Sequence, residues 1–300
     1  MSRLADLGEE EVLRRLLIDL PTRPDLQVGP GDDCAVVSLP GREDRLGLLK
    51  TDAVVSSIHF PEHEDLERVG WKALARNLSD VAAMGGRPEH GLVTVLASPE
   101  REIEGLEALY RGLRKCAQSH EVSLAGGDLG SLPRGGAHLV VSVALSGSVA
   151  ADQCVLRSGA AEKDLLLVTG RLGGSFASGR HLDFRPRLAE GRFLAEQGVT
   201  AMMDLSDGLA ADLPRLCRAS QVGAWLTRES LPRHQGVDVK GALHEGEDYE
   251  LLATVPPEKW TPLSLSWQKA FPDLPLTCIG EIVAKGQGEE FAGGWQHYHS

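Results

Sequence analysis

Seven aspartates in short segments that contain Gly, Ser or Thr are the residues of this sequence that could do chemistry. They recur from residue 31 to residue 207, at Gly31-Asp32-Asp33, Thr51-Asp52, Ser79-Asp80, Gly127-Asp128 and Asp204-Leu205-Ser206-Asp207. Carboxylates are the hard oxygen ligands that Mg²⁺ prefers. If they converge, cations must lie among them, because like charges about 4 Å apart repel by about 4 kcal/mol at an effective dielectric near 20. The pattern favours a site for metal ions and phosphate over a set of unrelated turns.

Taken singly, these aspartates have simpler interpretations. The pair at 32–33 is typical of a turn, and Asp207 is typical of the first turn of a helix that Ser206 would cap. Asp52 and Asp80 are harder to explain in this way, because one falls in a predicted strand and the other borders the apolar face of a predicted helix. A lone carboxylate on a packed face is costly without a cation or several donors. These two positions therefore favour metal binding.

The elements that would position the aspartates alternate between helices and strands. Apolar residues at helical spacing predict helices over 9–19 and 65–84 and after Ser98 and Ser206. Tyr110 lies on the apolar stripe of the helix after Ser98, which predicts core packing for it. Strands are predicted at 34–39, 46–55, 91–96, 122–125, 138–149, 165–169, 199–203, 251–255 and 276–283. This order predicts an α/β protein with two domains, 1–150 and 151–300.

The glycine-rich segments differ from the common phosphate-binding motifs. Gly170–Ser175 follows a predicted strand and precedes a helix, so its backbone N–H groups are predicted to face an anion. It does not fit Gly-x-Gly-x-x-Gly, and Lys50-Thr51 lacks the glycines of a P-loop. The protein-kinase motifs are missing as well. Phosphate binding, if present, must use another arrangement.

Composition limits the classes of partner. The 300 residues carry a formal net charge of −12, which argues against nucleic acid. Neither a signal peptide nor an apolar run long enough to cross a membrane is found, which predicts no membrane partner. The five cysteines form no Cys-x-x-Cys pair, which disfavours disulfides and structural zinc. A cytoplasmic location is predicted.

Taken in order, seven motifs resemble the thiamine-monophosphate kinase family of the aminoimidazole-ribonucleotide-synthetase-like ATP-binding superfamily. They are Gly31–Ala35, Thr51-Asp52 with His59-Phe60, Lys72–Gly85, Gly126–Asp128, Arg157–Ala160, Asp204–Leu209 and Gly246–Leu252. The resemblance implies a two-domain α/β (α+β) fold. Its N-terminal mixed sheet would form the interface of a homodimer, and a C-terminal α/β domain would complete the active-site cleft.

The resemblance also implies roles for individual residues. Several Mg²⁺ ions would be held by Asp33, Thr51, Asp52, Asp80, Asp128, Asp204 and Asp207. ATP would contact Tyr110, Gly127, Asp128, Arg157 and Ser206, and thiamine monophosphate would contact His59, Glu247 and Trp295. The implied reaction transfers the γ-phosphoryl group of ATP to thiamine monophosphate, the last step in making thiamine diphosphate. Two anions must meet in line, so cations and positioning supply most of the catalysis and no protein nucleophile is needed.

Other interpretations stay open at this point. Another ATP-dependent synthetase of the same superfamily, acting on an amide oxygen, would use the same metal and nucleotide residues. Selenophosphate synthesis is disfavoured, because no cysteine lies in a reactive N-terminal glycine loop. A nucleotide-binding regulator without catalysis is suggested by Leu129, which follows Asp128 where the family usually has Thr, and by Ser56-Ser57 in place of a glycine-containing pair.

Overall fold

The computed structural model describes residues 3–136 and 138–295. The described helices are α1 (Leu4–Leu16), α2 (Leu66–Ala83), α3 (Ile103–Ser119), α4 (Ser175–Ser178), α5 (Arg180–Asp183), α6 (Leu188–Glu196), α7 (Leu209–Ser220), α8 (Val239–His244) and α9 (Pro257–Ala270). The strands are β1 (Leu26–Val28), β2 (Ala35–Ser38), β3 (Arg45–Val55), β4 (Arg87–Ala97), β5 (Ser123–Ser131), β6 (Leu139–Ala150), β7 (Leu165–Thr169), β8 (Ala201–Leu205), β9 (Val222–Leu226), β10 (Glu250–Val255) and β11 (Leu276–Ala284). No helix within these described residues is long and apolar enough to cross a membrane.

The chain forms two compact units that are both discontinuous in sequence. The N-terminal unit consists of Asp33–Leu156 and Phe176–Val199. The C-terminal unit consists of Met1–Asp32, Arg157–Ser175 and Thr200–Ser300. The domains predicted from sequence, 1–150 and 151–300, are continuous segments, and that division stays a prediction.

A mixed sheet organises the N-terminal unit. Its strands run in the order β2-β3-β6-β4-β5, with β4 and β5 parallel and the other neighbours antiparallel. Alternate residues of the central strands are buried, among them Leu48, Val93 and Val143. Because side chains alternate along a strand, the residues between them face the other side of the sheet. The opposite faces of β3 are therefore chemically different.

The predicted helix over 65–84 is confirmed as α2. Asp65 caps it by accepting a hydrogen bond from Glu67 N at 2.9 Å. Helix α3 packs closely against α2 at two glycines. A Cβ atom added at Gly112 would lie 1.8 Å from Glu67 O, and one added at Gly70 would lie 2.0 Å from Leu109 O. Only glycine permits backbones to approach so closely.

This close packing rotates α3 away from its predicted orientation. Its buried face contains Leu109, Gly112 and Leu113, with Cys116 and Ala117 in the following turn. Tyr110 is 37% exposed, so the prediction that it packs in the core is wrong. The contact between the two helix backbones at the glycines decides which face of α3 is buried. Apolar periodicity in the sequence does not reveal such a contact.

An antiparallel sheet in the order β8-β10-β7-β11-β9 organises the C-terminal unit. Leu166, Met203 and Leu252 from its strands pack with Leu213 of α7 in one buried cluster. The predicted strands at 165–169, 199–203, 251–255 and 276–283 correspond to β7, β8, β10 and β11. The helices α8 and α9 were not predicted. In α9 only Leu263 and Trp267 are buried, which leaves a weak apolar pattern.

Candidate functional site

Two buried carboxylates meet in the N-terminal unit. Asp33, just before β2, and Asp80, in the last turn of α2, are 1% and 5% exposed. A carboxylate oxygen of Asp33 lies within 4.8 Å of one from Asp80. Two buried negative charges at this separation repel strongly unless cations accompany them. The predicted convergence of remote aspartates is confirmed for this pair.

Lys50 supplies one such cation. Its ammonium Nζ lies 2.7 Å from Asp80 Oδ1 and 4.0 Å from Asp52 Oδ2. Lys50 and Asp52 are two residues apart on β3, so both side chains lie on the same face of the sheet as buried Leu48. Asp52 thus joins the Asp80 cluster through a shared cation. The sequence prediction missed Lys50, although its alternation with Asp52 was a usable signal.

Arg76 supplies a second cation to Asp52. Its Nη2 atom lies 3.6 Å from Asp52 Oδ2, and Nη1 donates to Ala53 O at 3.0 Å. Arg76 precedes Asp80 by one helical turn of α2, so both side chains point from one face of the helix towards β3. The carboxylates and their internal cations therefore form one polar cluster, named here the Lys50 cluster: Asp33, Lys50, Asp52, Arg76 and Asp80.

Thr51 and Asp128 are not part of the Lys50 cluster. Thr51 is exposed on the opposite face of β3, where its Oγ1 lies 3.5 Å from Ser142 Oγ. Asp128 is exposed on β5, opposite Thr94 of β4. Strands β6 and β4 separate β3 from β5, a span of about 14 Å at the usual spacing of strands. Within the N-terminal unit, these two predicted metal ligands lie apart from Asp52.

His59 has a fixed orientation. It is 8% exposed, its Nδ1 accepts a hydrogen bond from Val55 N at 3.1 Å, and its carbonyl oxygen accepts one from Lys72 Nζ at 3.0 Å. Because Nδ1 is an acceptor, the neutral ring carries its hydrogen on Nε2. Lys72 is fully buried, with Nζ 5.7 Å from the ring centre of Phe176. The sequence prediction missed Lys72 as the residue that positions His59.

In the C-terminal unit, the turn after β8 is organised by a buried acid. Asp212 Oδ2 accepts hydrogen bonds from Ser206 N at 3.1 Å and Asp207 N at 3.0 Å. Arg215 Nη1 lies 2.6 Å from Asp207 Oδ2 and 2.7 Å from Asp212 Oδ1. Burial raises the pKa of Asp212, Asp207 adds to the rise, and Arg215 opposes it. These residues form the Arg215 cluster: Ser206, Asp207, Asp212 and Arg215.

The prediction that Ser206 caps this helix is wrong. Helix α7 begins at Leu209, and Gly208 is its N-cap residue with φ of 95°. The backbone N–H groups of Ser206 and Asp207 are instead held by Asp212, so the acid of the first turn is Asp212. Asp204 lies inside β8, is 4% exposed and pairs with Leu251 of β10.

The predicted thiamine-binding residues of the C-terminal unit lie at the same turn. Glu247 N donates to Ser206 O at 2.6 Å, and Trp295 N donates to Asp207 O at 2.8 Å. Tyr249 OH donates to Glu247 Oε2 at 3.1 Å, and the Trp295 residue is 47% exposed. Three segments that are remote in sequence thus converge beside the Arg215 cluster.

The remaining predicted residues have local partners. Arg157 N donates to Asp32 Oδ2 at 3.1 Å, and its carbonyl oxygen accepts a hydrogen bond from Ser220 Oγ. Gly127 neighbours Asp128 on β5. In the glycine loop, Gly173 N donates to Asp248 at 3.0 Å. The anion that this loop faces is therefore a carboxylate of the protein itself.

Profiles of two families match the chain in tandem. The AIR synthase related protein N-terminal domain matches residues 31–149, and the corresponding C-terminal domain matches residues 146–291. The chain is 38% identical over 280 residues to a thiamine-monophosphate kinase from Rhodopirellula baltica, covering 87% of this chain and 85% of the relative. It is 34% identical to the Bacillus subtilis protein of that name, covering 87% and 86%.

Solved structures confirm the predicted superfamily fold. One, described as AaThiL complexed with AMPPCP and TMP, is 29% identical, covers 99% of both chains and has a TM-score of 0.85. Another, tt0281 from Thermus thermophilus, is 27% identical, covers 98% of this chain and 99% of the other, and has a TM-score of 0.81. The resemblance inferred from the ordered motifs is confirmed by these similarities.

Proposed function

This chain belongs to the thiamine-monophosphate kinase family, and from that membership we propose that it transfers the γ-phosphoryl group of ATP to the phosphate of thiamine monophosphate. The products would be thiamine diphosphate and ADP. One observation carries the proposal: relatives of that name match nearly the whole chain at up to 38% identity. The Lys50 cluster supports it, because its three carboxylates are suited to hold the cations that a reaction between two phosphates needs.

The Lys50 cluster is chemically suited to Mg²⁺. Asp33 and Asp80 offer hard oxygen donors within 4.8 Å of each other, and Asp52 lies beside them through Lys50. Mg²⁺, when bound, would neutralise charge on the phosphates. We propose Asp33, Asp52 and Asp80 as ligands in the N-terminal unit and Asp204 and Asp207 as ligands in the C-terminal unit. The side chains of Thr51 and Asp128, which complete the predicted set, lie on the opposite face of the sheet from Asp52 and are not proposed as ligands of the same ion.

We propose that His59, Glu247 and Trp295 orient thiamine monophosphate. His59, whose Nδ1 accepts a hydrogen bond from Val55 N, is proposed to contact thiamine monophosphate. The exposed indole of Trp295 offers a surface for the cationic thiazolium ring, and the Glu247 carboxylate attracts the same cation. We propose contacts to ATP from Tyr110, Gly127, Asp128, Arg157 and Ser206.

The raised pKa values of two buried cysteines are consistent with direct transfer of the phosphoryl group, without a covalent intermediate on the protein. Burial raises the pKa of Cys217 to about 11 and raises that of Cys116 further. Neither thiol forms an appreciable thiolate near neutral pH, so neither is an activated nucleophile. The residues proposed here bind, orient and neutralise the two reactants.

We propose that the protein is a homodimer. The sheet face of the N-terminal unit opposite the Lys50 cluster is exposed, and Leu92 on that face is 51% exposed. Thr51, Ala144 and Asp128 occupy the same face, by the register of β3, β6, β4 and β5. A second copy would cover Leu92 together with the rest of this exposed face. Sedimentation of the wild type and of Leu92→Lys tests this, and a wild-type monomer at micromolar concentration contradicts it.

The reaction is tested by incubating the protein with ATP, Mg²⁺ and thiamine monophosphate. Phosphorus NMR is expected to show the diphosphate of thiamine together with ADP. Failure to form that product at high enzyme concentration rejects the proposal. Tight ATP binding without turnover would instead indicate a regulator, and ADP release with another acceptor would indicate a different synthetase of the superfamily.

A further inference from the structure

A cleft on the N-terminal unit lies outside all the predicted sites. It has a volume of about 490 Å³ and is lined by the start of β4, the turn after α3 and the segment leading into α6. Arg87, Arg185 and Arg192 contribute its guanidinium groups. None of the proposed metal, nucleotide or thiamine residues lines it. A cleft of this size can hold a small metabolite.

The cleft is separated from the Lys50 cluster along the sheet. Arg87 of β4 and Gly47 of β3 both pair with Ser148 of β6, so they lie in one row across the sheet. Asp52 follows Gly47 by five residues on β3, which corresponds to about 17 Å at the usual rise of a strand. A ligand bound at Arg87 therefore occupies a different end of this sheet.

The three arginines lack acidic partners. Among the residues that the structure describes, no carboxylate oxygen lies within 4.0 Å of the guanidinium nitrogens of Arg87, Arg185 or Arg192. Arg68 in the same unit shows the usual alternative, an ion pair with Asp183 at 2.6 Å. In a chain of net charge −12, unpaired arginines gathered around one cleft are a distinctive local feature.

Nearby acids offset part of this charge, but the lining of the cleft itself holds three arginines and only two glutamates. Glu121 and Glu190 also line the cleft, and Glu196 is close enough to act on Arg192. Burial nevertheless lowers the pKa of Arg192, and the positive charge of Arg87 lowers it further. Burial also lowers the pKa of His120, with Arg185 adding to the effect, so this histidine is neutral near pH 7. An anion in the cleft would relieve the repulsion among the guanidinium groups.

We propose that this cleft binds the dianionic phosphate group of a small metabolite through Arg87 and Arg192, with Arg185 completing the cationic rim. Guanidinium groups present paired N–H donors that match phosphate oxygens. Gln118 and Ser119 add polar groups to the wall. Leu188, which is 7% exposed, provides an apolar surface for an organic part of the ligand.

Isothermal titration calorimetry tests the proposal with inorganic phosphate, diphosphate and glycerol 3-phosphate, all in EDTA. Without divalent ions, the carboxylates of the Lys50 cluster repel phosphate. The double variant Arg87→Gln/Arg192→Gln is expected to weaken binding roughly tenfold or more, because two charge-assisted contacts are lost. Arg134→Gln, whose side chain is 79% exposed outside the cleft, is the matched control and should bind as the wild type does.

Three outcomes would overturn the site: no saturable binding at millimolar phosphate, equal binding by the double variant, or loss of binding in Lys50→Met. The last would place phosphate at the Lys50 cluster. Stronger binding of glycerol 3-phosphate than of inorganic phosphate would identify an ester as the ligand, and the reverse would identify free phosphate. If the double variant does not fold, Arg87→Gln alone serves, since Arg87 is exposed. None of these measurements depends on kinase activity.

Discussion

The Lys50 cluster and the Arg215 cluster each combine aspartates with internal cations, but only the Lys50 cluster includes an ammonium group. Lys50 reaches Asp80 with one ammonium group from a neighbouring strand. Arg215 bridges Asp207 and Asp212 from the same helix as Asp212, which also accepts two backbone N–H groups. A single ammonium on a flexible stem can give way to a divalent ion, whereas a bridging guanidinium fixes a turn. We therefore expect metal binding chiefly at the first cluster and structural support from the second.

Asp80→Asn is expected to have the largest effect. Replacing this carboxylate removes a hard oxygen donor and leaves Asp33 and Asp52 to hold metal, so turnover should fall by a factor of about 10³. The folded structure should persist, since asparagine has nearly the same shape. Initial rates of ADP release with ATP, Mg²⁺ and thiamine monophosphate measure this. Near-normal rates in both Asp80→Asn and Asp52→Asn would contradict the metal assignment.

Arg215→Met is expected to lower the free energy of unfolding. Removing the guanidinium leaves Asp207 and buried Asp212 without their cation, and losing one partner of a buried ion pair costs about 3 kcal/mol. The free energy of unfolding in urea measures the loss. Arg218→Met is the control, because Arg218 pairs with Glu10 at 3.2 Å with both side chains more than 60% exposed. Its loss should be under about 1 kcal/mol. Equal losses in both variants would argue against the structural role of Arg215.

Lys50→Met should change metal affinity in the direction opposite to Asp80→Asn. If the ammonium competes with Mg²⁺ for Asp80, removing it should tighten Mg²⁺ binding by roughly three- to tenfold. The shift of the melting temperature across a Mg²⁺ titration measures the affinity. Lys115→Met, on the exposed side of α3, is the control. Weaker Mg²⁺ binding in Lys50→Met would show that Lys50 supports the metal site instead of competing with it.

Trp295→Ala is expected to have the smallest effect. Removing the indole should raise KM for thiamine monophosphate about threefold to tenfold, with kcat nearly unchanged, because stacking on the thiazolium is present throughout the reaction. Steady-state kinetics at fixed ATP separates the two constants. An unchanged KM would remove Trp295 from the thiamine pocket, and a fall in kcat alone would point to a role in the chemical step.

Regular secondary structure was largely predictable where the apolar pattern was strong. Helix α2 and strands β3, β6 and β7 lie where periodicity predicted them, because each buries a continuous face against the core. Helix α9 was not predicted, since only Leu263 and Trp267 are buried. Strand β5 continues to Ser131, past the predicted end at residue 125, because its glycines pair with β4. The end of this strand depends on pairing with a strand that is remote in sequence, and local composition does not predict such pairing.

The sequence predicted the acidic residues of the candidate site but missed its basic residues. Small neighbours marked Asp33, Asp52 and Asp80 as exceptional, and the structure groups them. Arg76 carries no comparable signature, since isolated basic residues usually face solvent, and Lys50 was marked only by its alternation with Asp52. Asp212 was hidden in an ordinary helical pattern, although it holds the turn that presents Asp207.

The sequence by itself determined that acidic groups recur at small residues, that no P-loop is present and that the ordered motifs match one family. Only the tertiary structure decided which acids share a cation, because a salt bridge depends on a few ångströms between segments tens of residues apart. It also placed Thr51 and Asp52 on opposite faces of β3 and set Asp128 apart from both. Neighbouring residues of a strand point to opposite sides, so adjacency in sequence does not mean adjacency in a site.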